Sequence, residues 1–493
     1  MSSSQQQAYR EIAHRLISER RLSGGDAYGT FQTAYRDDPA GFVLDCFLWR
    51  GEEGPAFYQA EVLQQLPVSH REAVRGPHAL GKTAVASWAL LWFALTRDGR
   101  DWKAVTTASA WRQLEKYLWP EVHKWARRLD WEAIGRPPFG KEELLMLALH
   151  LKTGQAFAVA SDNAAFIEGA HADELLYIFD EAKEIPPNTW DAAEGAFASG
   201  NCYALAISTP GEPQGRFYEI HSRKAGLTDW HVRHVTKEEA IVAGRMDATW
   251  AAARALQWGT ESAVYQNRVE GNFAAQEADG VIPLSWIEAA NRRWQDWHDA
   301  GRPGSFVAVG ADVARGGEDA TVLALRFGDA ISELRRYHQA DTMHTTGYVK
   351  AVLDSHGGQA VVDVIGIGAG VVDRLREQGH GNVVPFNAGA RTEYRDSSGE
   401  LGFVNARSAA WWNLRERLNP TGARPIALPE DDLLTGDLAA PRWKMQSGGM
   451  IAVESKDDIK KRLHRSTDSG DAVMQAFWSE EDAVEVGTVA TPW

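Results

Sequence analysis

The run Gly76-Pro-His-Ala-Leu-Gly81-Lys82-Thr83 has the spacing G-x-x-x-x-G-K-[ST], in which glycines let backbone N–H groups curl around a phosphate where a helix begins. In that chemistry Lys82 reaches the β- and γ-phosphate oxygens of ATP and the Thr83 hydroxyl holds Mg2+. The four fixed positions arise by chance in on the order of one chain in fifty of this length. The apolar run ending at Arg75 and the apolar stretch after Lys82 supply the strand and helix that the mechanism requires, which weighs against a plain Gly-rich turn.

About a hundred residues on, Leu175-Leu-Tyr-Ile-Phe179 leads into Asp180-Glu181. An apolar strand ending in two carboxylates suits a site where Asp180 joins the Mg2+ shell and Glu181 polarises the attacking water. Next, a strand ends in Ser208-Thr209-Pro210, where ATP-driven motors often place a γ-phosphate sensor; an ordinary turn is the equal alternative. Gln59 is a candidate for reading adenine and Arg75 for reaching a phosphate, each against a surface role.

A second set of carboxylates lies beyond residue 300. Asp312 ends a strand, Asp363 ends another before a Gly-rich loop, and Asp471 sits in a helix beginning near Ser469. Hard cations such as Mg2+ or Mn2+ need this ligand type, and two such ions can clamp the attacking and leaving oxygens of a phosphodiester. Asp319 and Asp468 are the nearest substitutes, and turn and cap roles remain the competing reading.

Two architectures are needed to position these groups. Between Val74 and Pro210 short apolar runs (ending at Arg75, Lys103 to Thr107, Leu175 to Phe179, Tyr203 to Ile207) alternate with helical stretches (Lys82 to about Thr96, Ala110 to Leu129). That alternation predicts a parallel sheet covered by helices. Thr236 to Arg293 reads as mostly helical, and Pro303-Gly304 punctuates it, which sets a domain boundary near residue 300. Phe306 to Ala311 and Thr321 to Phe327, joined by the turn Arg315 to Asp319, predict a β-hairpin. A strand at Ala360 to Val364, a helix through Leu375, and helices at Ser408 to Leu418 and Ser469 to Trp478 complete a mixed sheet flanked by helices.

With 493 residues, two domains plus linkers are expected, and 44% hydrophobic with 24% charged residues is ordinary globular composition. The longest apolar stretch, Ala84 to Leu95, falls short of the roughly 20 residues that span a bilayer, and Met1 to Gln7 has no signal-peptide pattern. Cys46 and Cys202 form no disulfide framework and no metal-ligand spacing. A soluble protein of a reducing cytoplasm is the expectation. The net charge of −15 excludes a generally basic nucleic-acid-binding surface, so any DNA contact must be local. Arg442 to Arg465 leans the other way, with Arg442, Lys444, Lys456, Lys460, Lys461, Arg462 and Arg465 against Glu454, Asp457 and Asp458; a solvated helix face is the alternative.

In order along the chain, the P-loop, Ile178-Phe-Asp180-Glu181-Ala182, Ser208-Thr-Pro210, Val309-Gly-Ala-Asp312-Val-Ala-Arg-Gly-Gly, Asp363-Val-Ile-Gly366-Ile-Gly368 and Asp468-Ser-Gly-Asp471-Ala resemble the large terminase subunits of tailed bacteriophages. The resemblance runs from about Phe57 to Trp478. It implies an α/β chain in which an ASCE-type P-loop ATPase with a parallel sheet is joined to an RNase H-like nuclease with a mixed sheet. Residues 1 to about 22 read as a polar helix and Glu480 to Trp493 as an acidic, irregular tail; with these and the boundary near residue 300, the expected division is a 1–40 helical extension, a 41–230 ATPase, a 231–300 helical linker or lid, a 301–480 nuclease and a 481–493 acidic tail. On the resemblance, Lys82, Thr83, Asp180 and Glu181 carry ATP hydrolysis and Ser208 to Pro210 couple it to movement, while Asp312, Asp363 and Asp471 hold the nuclease metals. The implied partners are double-stranded DNA, a portal protein, a small terminase subunit and further copies of the chain in a ring on the portal, with no membrane, in the host bacterial cytoplasm. Where relatives have Ser-Pro-Asp this chain has Ser466-Thr467-Asp468, which leaves Asp468 and Asp471 as alternatives. The basic cluster Lys456 to Arg465 is expected to line the DNA path, so reversing Lys460, Lys461 and Arg462 should change cleavage and its salt dependence. A helicase and a nucleotide-binding assembly subunit are the competing readings; no helicase-type Gln/Gly/Arg-rich arginine-finger helix is read after residue 300.

Overall fold

The computed structural model describes residues 26–50, 54–161, 163–199, 201–275, 279–314, 320–338, 341–446 and 450–478. The start of the expected 1–40 helical extension, through residue 25, the turn carrying Asp319 and the expected 481–493 acidic tail lie outside them. Among the described residues no helix is long and apolar enough to cross a membrane. The chain forms two compact units, and its path between them crosses more than once. The first unit runs through Ala251 and takes up Gln266–Ala275; the second takes Ala252–Tyr265 and resumes at Gln276.

The first unit is built on eight strands: β1 (Arg71–Arg75), β2 (Trp102–Ala108), β3 (Leu144–Leu145), β4 (Ala148–His150), β5 (Gly154–Ala160), β6 (Glu174–Asp180), β7 (Cys202–Ser208) and β8 (His231–His234). Their order is β3-β4-β5-β2-β6-β7-β1-β8, parallel from β5 to β8, with β3 and β4 adding an antiparallel edge. β7 lies between the P-loop strand β1 and the carboxylate strand β6, the arrangement of ASCE-type P-loop folds. β6 and β7 are buried at every position, as strands covered on both faces must be. The helix Lys82–Arg97 is apolar almost all round because it is enclosed, packing on the sheet and under the helices Ala27–Tyr35, Pro39–Asp45 and Trp119–Ala126. The helix expected from Ala110 to Leu129 runs unbroken from Trp111 to Ala126, with a π turn at Leu114–Leu118 inserted between Trp111–Gln113 and Trp119–Ala126.

The second unit holds β9 (Phe306–Asp312), β10 (Thr321–Phe327), β11 (Ala330–Tyr337), β12 (Gln359–Asp363) and β13 (Val383–Phe386) in the order β11-β10-β9-β12-β13. β9, β10 and β11 form an antiparallel meander, while β12 and β13 run parallel to β9, the mixed sheet of RNase H-like folds. A small sheet of β14 (Gly402–Phe403), β15 (Trp443–Met445) and β16 (Met450–Val453) packs with helix Ala406–Leu418. The expected β9–β10 hairpin is present; the sequence reading passed over β11, helix Thr342–His356 and the small sheet. Helix Leu284–Asp299, read within a linker, is held in this unit by Asn291 donating to the Leu428 and Pro429 carbonyls and by Trp294 donating to Ile331 O.

The helix Asp468–Ala476 lies across β9 and β10. A Cβ built on Gly310 of β9 would stand 2.0 Å from Ala472 O and 2.4 Å from Ala476 N, so strand and helix meet backbone to backbone. Only a residue without a side chain permits that approach.

Candidate functional site

In the first unit the chemistry-bearing residues collect where β1, β6 and β7 end. Gly81 has φ +71°, a left-handed conformation that glycine adopts without strain, and it caps the helix that starts at Lys82. The Lys82 Nζ donates to Pro77 O at 2.7 Å and to Thr209 Oγ1 at 3.1 Å, bridging the P-loop and the loop after β7. Glu181 sits at φ 47°, strained for a residue with a side chain, and Ser208 Oγ donates to its Oε2 at 3.1 Å. Asp180 is buried; Gln113 Nε2 donates to its Oδ2 at 3.3 Å, and the π turn follows Gln113 directly. π turns of this kind gather at functional sites.

Burial and the neighbouring Glu181 push Asp180 up to about 7, opposed by Gln113 and by the Glu181 N–H. Burial pulls Lys82 down to about 8, opposed by Glu181 and Asp180. A buried ammonium, two carboxylates and two hydroxyls at the mouth of a glycine turn fit a nucleotide phosphate with its divalent ion. Lys82, Thr83 and Asp180 are the residues placed to hold them, with the Thr83 side chain partly exposed in the first turn of its helix.

Gln59 and Arg75 turn out to be engaged within the protein. Gln59 is 1% exposed, and its Nε2 donates to Leu80 O at 3.0 Å and Gly81 O at 3.3 Å, beneath the P-loop. Arg75 Nη1 donates to Gly271 O at 2.5 Å, and its guanidinium lies over the Phe273 ring.

In the second unit, parallel pairing of β12 with β9 sets Val362 beside Ala311, which brings Asp312 and Asp363 to the same end of neighbouring strands. The helix Asp468–Ala476 adds Asp468 and Asp471. Lys456 Nζ stands among them, 2.8 Å from Asp312 Oδ2, 3.0 Å from Asp468 Oδ1 and 3.6 Å from Asp471 Oδ2. Asp471 also receives Arg407 Nη1 at 2.5 Å, Trp411 Nε1 at 3.2 Å and Thr467 Oγ1 at 2.9 Å. Asp363 Oδ1 accepts from the Ile365 N–H at 2.9 Å. Asp468, held at substitute rank by sequence, therefore shares the cluster with Asp471 rather than replacing it.

Burial drives Asp312 well above the usual carboxylate range despite Lys456, while Arg407 and Lys456 overcome burial at Asp471 and hold it below that range. Among the described residues no group of three or more His, Cys, Asp or Glu side chains is arranged to hold a metal ion; the cation among these aspartates is the Lys456 ammonium. The donor set is nevertheless hard oxygen gathered around a positive charge, which fits Mg2+ or Mn2+ in kind.

Lys456 escaped the sequence reading as a site residue because Lys456–Leu463 resembles any charged surface helix. Within the cluster Lys456 to Arg465, expected to line the DNA path, three residues pair inward. Lys456 enters the aspartate cluster, Arg462 pairs with Glu454 at 2.6 Å, and Arg465 pairs with Asp437. Lys461 stays largely in solvent, paired with Asp458 at 3.4 Å.

No family model matches the chain. It is 26% identical over 330 residues, 61% of its length, to a protein of Enterobacteria phage P7 described as a probable terminase, large subunit; it spans 62% of that relative. Among solved structures, the nuclease domain of the large terminase subunit of bacterial virus Sf6 aligns at 20% identity, covering 40% of this chain and 98% of that one, with a TM-score of 0.36. The large terminase of a thermophilic bacteriophage aligns at 14% identity over 86% of this chain and 98% of that one, with a TM-score of 0.40.

Proposed function

We propose that the chain, in line with its similarity to a probable terminase large subunit, hydrolyses ATP to drive double-stranded DNA into a procapsid and cuts concatemeric DNA with a metal-dependent nuclease. The observation that carries the reading is the Lys82 ammonium bridging Pro77 O and Thr209 Oγ1 beside a Glu181 held by Ser208. Lys82 would neutralise the transferring phosphoryl group, Asp180 and Thr83 would hold Mg2+, and Glu181 would orient and polarise the attacking water. Thr209 accepts from the Lys82 ammonium and Ser208 donates to the Glu181 carboxylate, which suits a sensor that reports loss of the γ-phosphate.

At the second site Asp312, Asp363 and Asp471, with Asp468, would hold Mg2+ or Mn2+. A bound ion supplies an activated water and stabilises charge on the leaving oxygen. Arg407 keeps Asp471 ionised and oriented, and Lys456 keeps the aspartates together. The mixed second sheet favours this reading over a helicase, whose second domain would carry another parallel P-loop-type sheet. Portal, small subunit and a ring of copies are the partners such a motor needs in the host cytoplasm.

ATP turnover by the full chain and by Glu181→Gln, with plasmid digestion in Mn2+ by the parent and Asp312→Ala, tests both halves. Turnover lost in the first variant and cleavage lost in the second are expected. Turnover that survives Glu181→Gln reduces the first unit to a nucleotide-binding element, and cleavage that survives Asp312→Ala removes the nuclease reading.

A further inference from the structure

Resting on the ATPase reading, we infer that Gln266–Ala275 is a bracket that holds the P-loop and the loop after β7 in mutual register, with Asn267 and Arg75 as positioning residues for γ-phosphate hydrolysis. The segment opens with a π turn, Gln266–Glu270, that Asn272 closes by donating its N–H to Gln266 O at 2.8 Å and its side-chain amide to Gln266 Oε1 at 3.0 Å. One side of the bracket grips the P-loop. His78 N–H donates to Arg268 O at 3.0 Å, and Arg75 donates to Gly271 O. Gly271, at φ +70°, backs onto Gly76 so closely that a Cβ would meet the Gly76 Cα at 2.7 Å.

The other side grips the loop after β7. Asn267 is 3% exposed, and its Nδ2 donates to Gly211 O at 3.1 Å and to Asn272 O at 2.7 Å. The Ala274 N–H donates to the same Gly211 carbonyl at 3.1 Å. Gly211 follows Thr209 by two residues, so both loops that must converge on the nucleotide are tied to one ten-residue segment.

The bracket adds to a direct link between the loops, which Lys82 makes through Pro77 O and Thr209 Oγ1. A bound triphosphate competes for that ammonium, and once Lys82 turns to phosphate the register of the two loops rests on the bracket. A diphosphate held by the P-loop backbone asks little of the loop after β7; placing the γ-phosphate against Thr209, Ser208 and Glu181 asks for both.

The test uses the full chain, with ADP and ATPγS binding by displacement of a fluorescent nucleotide, ATP turnover, and melting temperature as the fold control. Asn267→Ala should bind ADP within threefold of the parent, lose tenfold or more in turnover, and lose the parent's preference for ATPγS over ADP. Arg75→Ala should behave alike, and Arg75→Lys, which keeps a donor for the Gly271 carbonyl, should recover turnover to within threefold of the parent. If Asn267→Ala melts early, the Arg75 pair decides. Turnover unchanged in folded variants, or ADP affinity falling as far as turnover in both, overturns the bracket. A parent that binds but never turns over ATP sinks the ATPase reading, while the ADP–ATPγS split still decides whether the bracket positions the third phosphate.

Discussion

Lys456 Nζ lies 2.8 Å from Asp312 Oδ2, with Asp468 and Asp471 also within ion-pairing reach, so one lysine balances three aspartates at the end of β9. Its side chain is about a third exposed, unlike those of Asp312 and Asp471. Breaking a buried ion pair costs about 3–5 kcal/mol, and partial exposure lowers that here to roughly 1–3 kcal/mol. Lys456→Ala should therefore melt several degrees below the parent in metal-free buffer. Mn2+ should restore more of the melting temperature in the variant than it adds to the parent. Thermal unfolding with and without Mn2+ reads this, and an equal Mn2+ increment in the two proteins would count against the aspartates as a cation site.

Arg407 reaches Asp471 at 2.5 Å and keeps it ionised against burial. Arg407→Lys keeps the charge but loses the planar fork, and should lower Mn2+-dependent cleavage tenfold or more with little change in melting temperature. Arg407→Met should cost both activity and stability. Plasmid nicking beside differential scanning fluorimetry separates these outcomes, and full cleavage by Arg407→Met would remove Arg407 from the site.

Asp180 is pushed up to about 7, so below that pH a growing share carries a proton and binds a divalent ion poorly. The kcat/KM for ATP should rise between about pH 6 and 8 on its acid side. Gln113 donates to the ionised carboxylate, so Gln113→Ala should move that limb to higher pH, whereas a purely structural loss would lower the whole profile without moving it. Measuring kcat/KM across pH in both proteins makes the comparison.

Glu72 on β1 is fully buried, with Oε2 2.8 Å from His231 Nδ1 and Ser69 Oγ at 3.5 Å, and burial drives it up to about 9. A carboxyl whose folded value lies above its unfolded one binds its proton more tightly when folded. Its contribution is complete below about pH 4.5 and is lost as pH climbs toward 9. Glu72→Gln, neutral at every pH, should match the parent near pH 5 and melt several degrees higher near pH 8.5. Parallel melting curves across that range would show that Glu72 does not titrate in this window.

The residues that gather where β1, β6 and β7 end were legible as a cluster because their signal is local. A glycine turn between an apolar run and a helix, and acids at the end of an apolar strand, announce themselves within a few neighbours. The β9–β10 hairpin was legible for the same reason. β8 was missed because its pairing with β1, Val74 beside Arg233, spans most of the first unit, and the small sheet sets Phe403 beside Ile451. Gln59, Asn267 and Lys456 are ordinary polar letters in sequence. Burial under the P-loop, a carbonyl two residues past Thr209 and a nest of aspartates give them their roles, and all three arise from contacts between distant segments. Asp468 and Asp471 could not be ranked by spacing because three residues on a helix place both on one face.

The missing side chain at Gly310 fixes how deeply the helix carrying Asp468 and Asp471 settles onto the strand carrying Asp312. A single methyl there would meet Ala472 O and Ala476 N, both backbone atoms with no rotamer to yield, so the helix would be lifted and the aspartates drawn apart. In a saturation library this position should tolerate no replacement, even though it carries no functional group of its own. Gly310 sets the gauge between strand and helix, and one added methyl here is felt at every carboxylate the helix carries.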